Sequence, residues 1–138
     1  MAITPYLYYK DVGAALKWLA KAFGFKPYGA RNVGSDRQIR HAAMQLGDDI
    51  VMMGRPGPRY KNPKRLGQAT QCLHVTVDDV DTLFARARKA GATVLEEPAV
   101  TPYGQRRCGV EDPEGHQWYF AQVPTAKRRR PPAARSRR

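Results

Sequence analysis

Cys72 and His74 are the residues of this 138-residue chain whose types and spacing come nearest to covalent or acid–base chemistry. A thiol and an imidazole two positions apart share one side of an extended strand, with backbones about 7 Å apart. A neighbouring imidazole can convert a thiol into a thiolate nucleophile or act as a base in its own right. These two are the candidate catalytic groups. Other polar and aromatic residues alternate with apolar ones so that they share a face. Tyr6 and Tyr8 stand between Leu7 and Tyr9, Thr76 continues the side of Cys72 and His74, and Gln117 and Tyr119 alternate with Trp118 and Phe120. Phenols, an imidazole and an amide on one surface suit a planar organic ligand, held by stacking and oriented by polar tips. Arg106 and Arg107 point to opposite sides of their strand. Arg107 is placed with the ligand group, where it would favour an anionic molecule. The competing reading is that the tyrosines simply fill the space between them.

The elements that must position these groups are written twice. In CLHVTVDDVDTLFARARKAG (72–91), Leu73, Val75 and Val77 alternate as in a strand. Val80, Leu83, Phe84 and Ala87 then recur at helical spacing. Asp78 or Asp79 can cap that helix and Gly91 can close it in the left-handed conformation. TPYLYYKDVGAALKWLAKAFG (4–24) repeats the pattern, with Asp11, Val12 and Gly24 answering Asp79, Val80 and Gly91. In the first copy a strand over 3–9 and a helix over 11–23 lead to strands over 25–32, 38–46 and 50–54. In the second, a strand over 71–77 and a helix from Val80 lead to strands over 93–97, 105–111 and 116–123. The turn Asp112-Pro113-Glu114-Gly115 precedes the last of these. Residues 55–70, rich in Pro, Gly and basic side chains, read as a linker loop, long for a compact domain and of the kind that often forms a lid or pocket rim. The body thus runs over 1–123, with repeats at about 3–54 and 71–123.

Composition narrows the class. Hydrophobic residues make up 42% of the chain, enough for a globular core. No apolar run approaches the roughly 18 residues of a membrane span, and no secretory signal opens the sequence. A cytoplasmic protein with no membrane contact is the expectation, with Cys72 and Cys108 as reduced thiols. The net charge of +12 is concentrated at the end: KRRRPPAARSRR (127–138) holds seven of the 24 Lys and Arg and no acid. Residues 124–138 read as a disordered basic tail that could make weak contact with nucleic acid or an anionic surface, or serve only solubility.

From Ile3 to Val123 the chain resembles the vicinal oxygen chelate superfamily, which includes glyoxalase I, extradiol dioxygenases and bleomycin-resistance proteins. The resemblance rests on KDVGAALKWLAKAFGF, DDVDTLFARARKAG and DPEGHQWYF. ITPYLYYKDV and HAAMQLGDDIVMMG resemble most the small glyoxalase-like, bleomycin-resistance-like branch. It implies an α+β fold: two βαβββ repeats forming a glyoxalase-like pseudo-barrel with an open concave cleft. In that family His, Gln or Glu from the first and last strands of each unit bind a metal. The corresponding positions here hold Thr4, Met52, Cys72 and Tyr119, a set poor in the charge and imidazole a divalent ion requires, although His74 could substitute. The expectation is therefore a protein with no metal and no cofactor. As a family member it would bind a small planar organic molecule for sequestration or resistance, as a homodimer made by exchange of halves. Its ligand-binding residues would be Tyr6, Tyr8, His74, Thr76, Arg107, Gln117 and Tyr119. The alternative is a lyase, isomerase or dioxygenase type enzyme that depends on a metal or on Cys72 and His74.

Overall fold

The computed structural model describes residues 1–123, so the expectation of a disordered basic tail lies outside the described residues. Two four-stranded sheets carry one helix each, in the same order of elements. The first half comprises β1 (Tyr6–Tyr8), α1 (Val12–Phe23), β2 (Lys26–Val33), β3 (Ile39–Leu46) and β4 (Asp49–Gly54). The second comprises β5 (Cys72–Thr76), α3 (Val80–Lys89), β6 (Thr93–Val100), β7 (Arg106–Glu111) and β8 (Gln117–Gln122). The strand orders are β1-β4-β3-β2 and β5-β8-β7-β6, so in both halves the first strand lies parallel to the last. Two copies of one unit are present, as the repeat predicted. The sheets stay separate and do not close into a barrel.

Local chemistry accounts for the elements. Asp11 and Asp79 are the N-caps, each side chain accepting from a backbone N–H three residues on. Of the two candidate caps for α3, Asp79 serves. Gly24 (φ 79°) ends α1 in the left-handed region that a side chain disfavours. The helices bury Val12, Ala15, Leu16, Leu19, Ala22 and Phe23 on α1, and Val80, Phe84 and Ala87 on α3.

Three expectations about the elements change. The first strand, expected over 3–9, is confined to Tyr6–Tyr8. The linker 55–70 contains a short helix, α2 (Pro63–Leu66), because Asn62 caps Arg65 N–H and proline suits the first helical position. Strand β6 continues past Glu97 through Pro98 to Val100. It is an edge strand whose register shifts between Glu96 and Ala99, so the missing N–H of proline interrupts no regular ladder.

The halves meet through their helices. Phe23 packs, with tilted rings, 5.2 Å from Trp118 and 4.7 Å from Phe120 between centroids, so the first helix is buried on the second sheet. Trp18 of α1 donates its indole N–H to the Ala90 carbonyl at the end of α3 (2.8 Å). Arg86 of α3 donates to the Lys21 and Ala20 carbonyls at the end of α1. Each helix thus donates side-chain hydrogen bonds to carbonyls at the other's C-terminus. A second tie is the 112–115 turn. Asp112, 2% exposed, accepts from Tyr9 Oη (2.6 Å), Trp118 Nε1 (3.1 Å), and the Glu114 and His116 amides. The Glu114 carboxylate accepts from the Lys10 and Asp11 amides and from Asn62. The His116 ring donates to the Tyr8 carbonyl at 2.7 Å.

Candidate functional site

Because the helix-bearing faces share one core, the other face of each sheet looks outward, and the predicted site residues fall on these outward faces. On the first sheet Tyr6 and Tyr8 are 43% and 52% exposed, whereas Leu7 and Tyr9 between them are buried. Tyr6 stands beside Met52, and Met52 beside Ala43. Tyr8 stands beside Gly54, and Gly54 beside His41. On the second sheet His74 stands beside Tyr119, Tyr119 beside Gly109 and Gly109 beside Glu96. Cys72 neighbours Gln117, and Thr76 neighbours Ala121, which in turn neighbours Arg107. Met52 and Tyr119 are therefore matching positions of the two units.

The structure brings Cys72, His74, Thr76, Arg107, Gln117 and Tyr119 together on the second sheet, and Tyr6 with Tyr8 on the first. It does not bring the two groups to each other. The extensive contacts between the halves run through α1 and α3, and the outward faces are separated by that core. A cleft lined by both groups does not form within one copy of the chain.

Two glycines let aromatic rings lie down on the sheets. A Cβ on Gly109 would sit 2.5 Å from Tyr119 Cε2, and a Cβ on Gly54 would collide with the Tyr6 ring. Tyr119 thereby presents a flat phenol, with the Arg107 guanidinium 5.2 Å from its ring centroid. Burial, followed by the Glu96 charge, pushes the Tyr119 phenol above its ordinary value, so it remains a hydrogen-bond donor. The Tyr6 hydroxyl is hydrogen-bonded to His41 Nδ1 at 3.0 Å, and the Tyr6 and Tyr8 rings meet edge to face.

Sequence reasoning missed His41 and Glu96. His41 falls opposite Gly54 in the β3–β4 ladder, a register that counting back from the 47–48 turn would have supplied. Glu96 takes both forks of Arg107, with contacts of 2.9 to 3.2 Å. That bond changes the reading of Arg107. Its charge is neutralised where it stands, and an anionic ligand would have to displace Glu96. Arg106 lies on the other side and pairs with Asp81.

Cys72 and His74, the candidate catalytic pair, are exposed, and among the described residues no hydrogen bond joins the Cys72 thiol to the His74 ring. The metal expectation can be tested on the donors themselves. Thr4, just before β1, and Met52 belong to the first half, and Cys72 and Tyr119 to the second sheet, so the four family positions do not converge in one chain. A hydroxyl, a thioether and a phenol also offer no carboxylate or imidazole to a hard cation. Among the described residues no three His, Cys, Asp or Glu side chains are grouped as a metal site would need. The residues present do not fit the family's metal.

Paired βαβββ units with an outward, aromatic-lined face on each sheet define an α+β protein of the glyoxalase-like class. Residues 3–120 match the Glyoxalase/Bleomycin resistance protein/Dioxygenase superfamily, and the chain belongs to that superfamily. Among solved structures it is similar to TioX from Micromonospora sp. ML1, with 34% identity, a TM-score of 0.73, and 90% of this chain and 99% of that one covered. The fold is shared with the fosfomycin resistance protein FosX from Mesorhizobium loti, at 15% identity and a TM-score of 0.63 over 93% and 95% of the two chains. An uncharacterized protein of Mycobacterium bovis is 35% identical over 126 residues, which are 88% of this chain and 82% of that protein. No helix among the described residues is long and apolar enough to cross a membrane.

Proposed function

We propose that this protein binds a small planar organic molecule without a metal or other cofactor, as a sequestering or resistance protein, in a homodimer. The observation that carries the reading is the lining of the two outward faces. Tyr6 and Tyr8 stand on one, with Tyr6 beside the family ligand position Met52, and Tyr119, itself at such a position, lies flat beneath Arg107 on the other. Each face alone is an open half-site. A second copy that apposes its first sheet to this chain's second sheet would enclose a ligand between phenols, with His74, Thr76 and Gln117 to orient it. The Arg107–Glu96 pair makes a neutral or weakly polar ligand a better occupant than a strong anion. The bleomycin-resistance branch of the family and the fosfomycin resistance protein that shares the fold are consistent with binding of small antibiotics.

The test combines mass, metal and ligand. Light scattering at micromolar concentration should give twice the chain mass, and protein purified without chelator should carry well under one equivalent of zinc, nickel, iron or manganese. A thermal-shift screen of planar heteroaromatic compounds should give a hit whose affinity falls about tenfold or more in Tyr119→Ala and in His74→Ala, as expected when one stacking partner is removed. A monomer, or a hit indifferent to both substitutions, would refute the proposed cleft. Stoichiometric metal lost with Cys72→Ser or His74→Ala would instead favour a metal-dependent enzyme.

A further inference from the structure

The charge of the body is unevenly placed. Before the basic tail the chain holds 17 Lys and Arg against 12 Asp and Glu. Segment 55–71 alone carries five of those basic residues and no acid, so the rest of the body is balanced at twelve of each. This segment borders an open cavity of about 420 Å³, lined by Lys10, Pro58, Arg59, Tyr60, Lys61 and Arg65. Four cationic side chains thus surround one concavity. Among the described residues none of the four enters a salt bridge, whereas Arg55, Arg106 and Arg107 all do.

The segment does not hang freely. The Tyr60 hydroxyl donates to the Tyr8 carbonyl at 2.9 Å, and its ring meets that of Tyr8 edge to face. Asn62 Nδ2 donates to Glu114 Oε1, and the Lys64 amide donates to the Glu114 carbonyl, each at 2.9 Å. The nearby acid, Glu114, forms no ion pair with any of the four cations. Glu114 Oε1 is taken by the Lys10 amide and Asn62, and Oε2 by the Asp11 amide. A pinned backbone therefore holds four cations around a space that the Glu114 and Asp112 carboxylates offset only in part, an excess of positive charge that a bound anion would relieve.

We propose that this cavity, which adjoins the first sheet's face at Tyr8, is a second binding site for a small phosphorylated molecule carrying at least two negative charges. Two arginines supply planar forks that match phosphate oxygens, and two lysines supply point charges at the rim. The volume admits a diphosphate with a small organic substituent and leaves the Tyr60 ring as its one aromatic wall. The reading does not depend on what the sheet faces bind.

The experiment is titration calorimetry of the full chain with inorganic pyrophosphate at constant ionic strength. One saturable equivalent is expected, with affinity lowered at least tenfold in Arg59→Gln/Arg65→Gln. It should be unchanged in Arg31→Gln/Arg88→Gln, which removes the same charge from exposed positions on β2 and α3. Lys10→Gln/Lys61→Gln should reproduce the loss, and it keeps the test decisive if the arginine pair fails to fold. Absence of saturable binding, or equal losses in the pocket and distal pairs, would overturn the site in favour of bulk charge. A duplex oligonucleotide whose binding requires Arg59 and Arg65 and resists excess pyrophosphate would overturn it in favour of a nucleic-acid surface.

Discussion

Replacing Asp112 with alanine should be among the most damaging single changes available in this fold. The carboxylate is 2% exposed and accepts four hydrogen bonds, from the Tyr9 phenol, the Trp118 indole and the Glu114 and His116 amides. Removing it strands donors of unequal consequence. The two amides belong to a turn whose residues Glu114 and His116 are partly exposed, so water can recover them. Tyr9 and Trp118, 1% and 0% exposed, have no such recourse. Each stranded buried donor costs about 1–3 kcal/mol, which places Asp112→Ala near 4 kcal/mol. That is a large share of a typical stability of about 5–15 kcal/mol, and it corresponds to a fall of roughly 10–15 °C in Tm. Urea unfolding followed by circular dichroism at one fixed protein concentration would measure it. The coupling is the sharper test. Tyr9→Phe alone should cost about 1–2 kcal/mol, but in the Asp112→Ala background it removes an orphaned hydroxyl and should cost nothing or stabilise. A loss below about 1 kcal/mol for Asp112→Ala, or two losses that simply add, would refute the account of this turn as a buried hydrogen-bond hub.

Two further expectations concern the second half. Burial raises the Cys108 thiol from its ordinary value to about 11. The folded protein therefore keeps a proton that the unfolded chain releases from about pH 9, and stability should decline by up to about 1.4 kcal/mol per pH unit as pH rises toward 11. Tm measured between pH 8.5 and 10 should show this decline and lose it in Cys108→Ala; an unchanged slope would assign it elsewhere. Tyr9, Tyr60 and Tyr119 are raised in the same sense and act at higher pH. Gly109→Ala places a methyl group against the Tyr119 ring. It should destabilise by about 1 kcal/mol in the native background and by nothing in Tyr119→Ala, since the partly exposed ring can swing away but loses its seat. An equal cost in both backgrounds would show that the glycine is needed for its backbone alone.

The repeat was legible because it rests on local signals. Alternation at Leu73, Val75 and Val77, capping aspartates at 11 and 79, and the left-handed Gly24 each depend on a few neighbouring residues, and two copies of such signals reinforce one another. The side of the strand on which Tyr6, Tyr8, His74 and Tyr119 stand followed from the same period of two. What no local pattern contains is the placement of one half against the other. Phe23 on Trp118, the crossed Trp18 and Arg86 bonds and the Glu114 clamp on Asp11 join residues more than 60 positions apart. Those contacts put the helices between the sheets, and so turn the two groups of site residues away from each other. For the same reason Arg107 could be assigned to a face from sequence, but its pairing with Glu96 could not, because the register shift in β6 sets which residue lies within reach. The basic segment 55–70 appeared as a linker because composition records which charges are present, whereas the hydrogen bonds that hold four cations around one cavity come from residues distant in sequence.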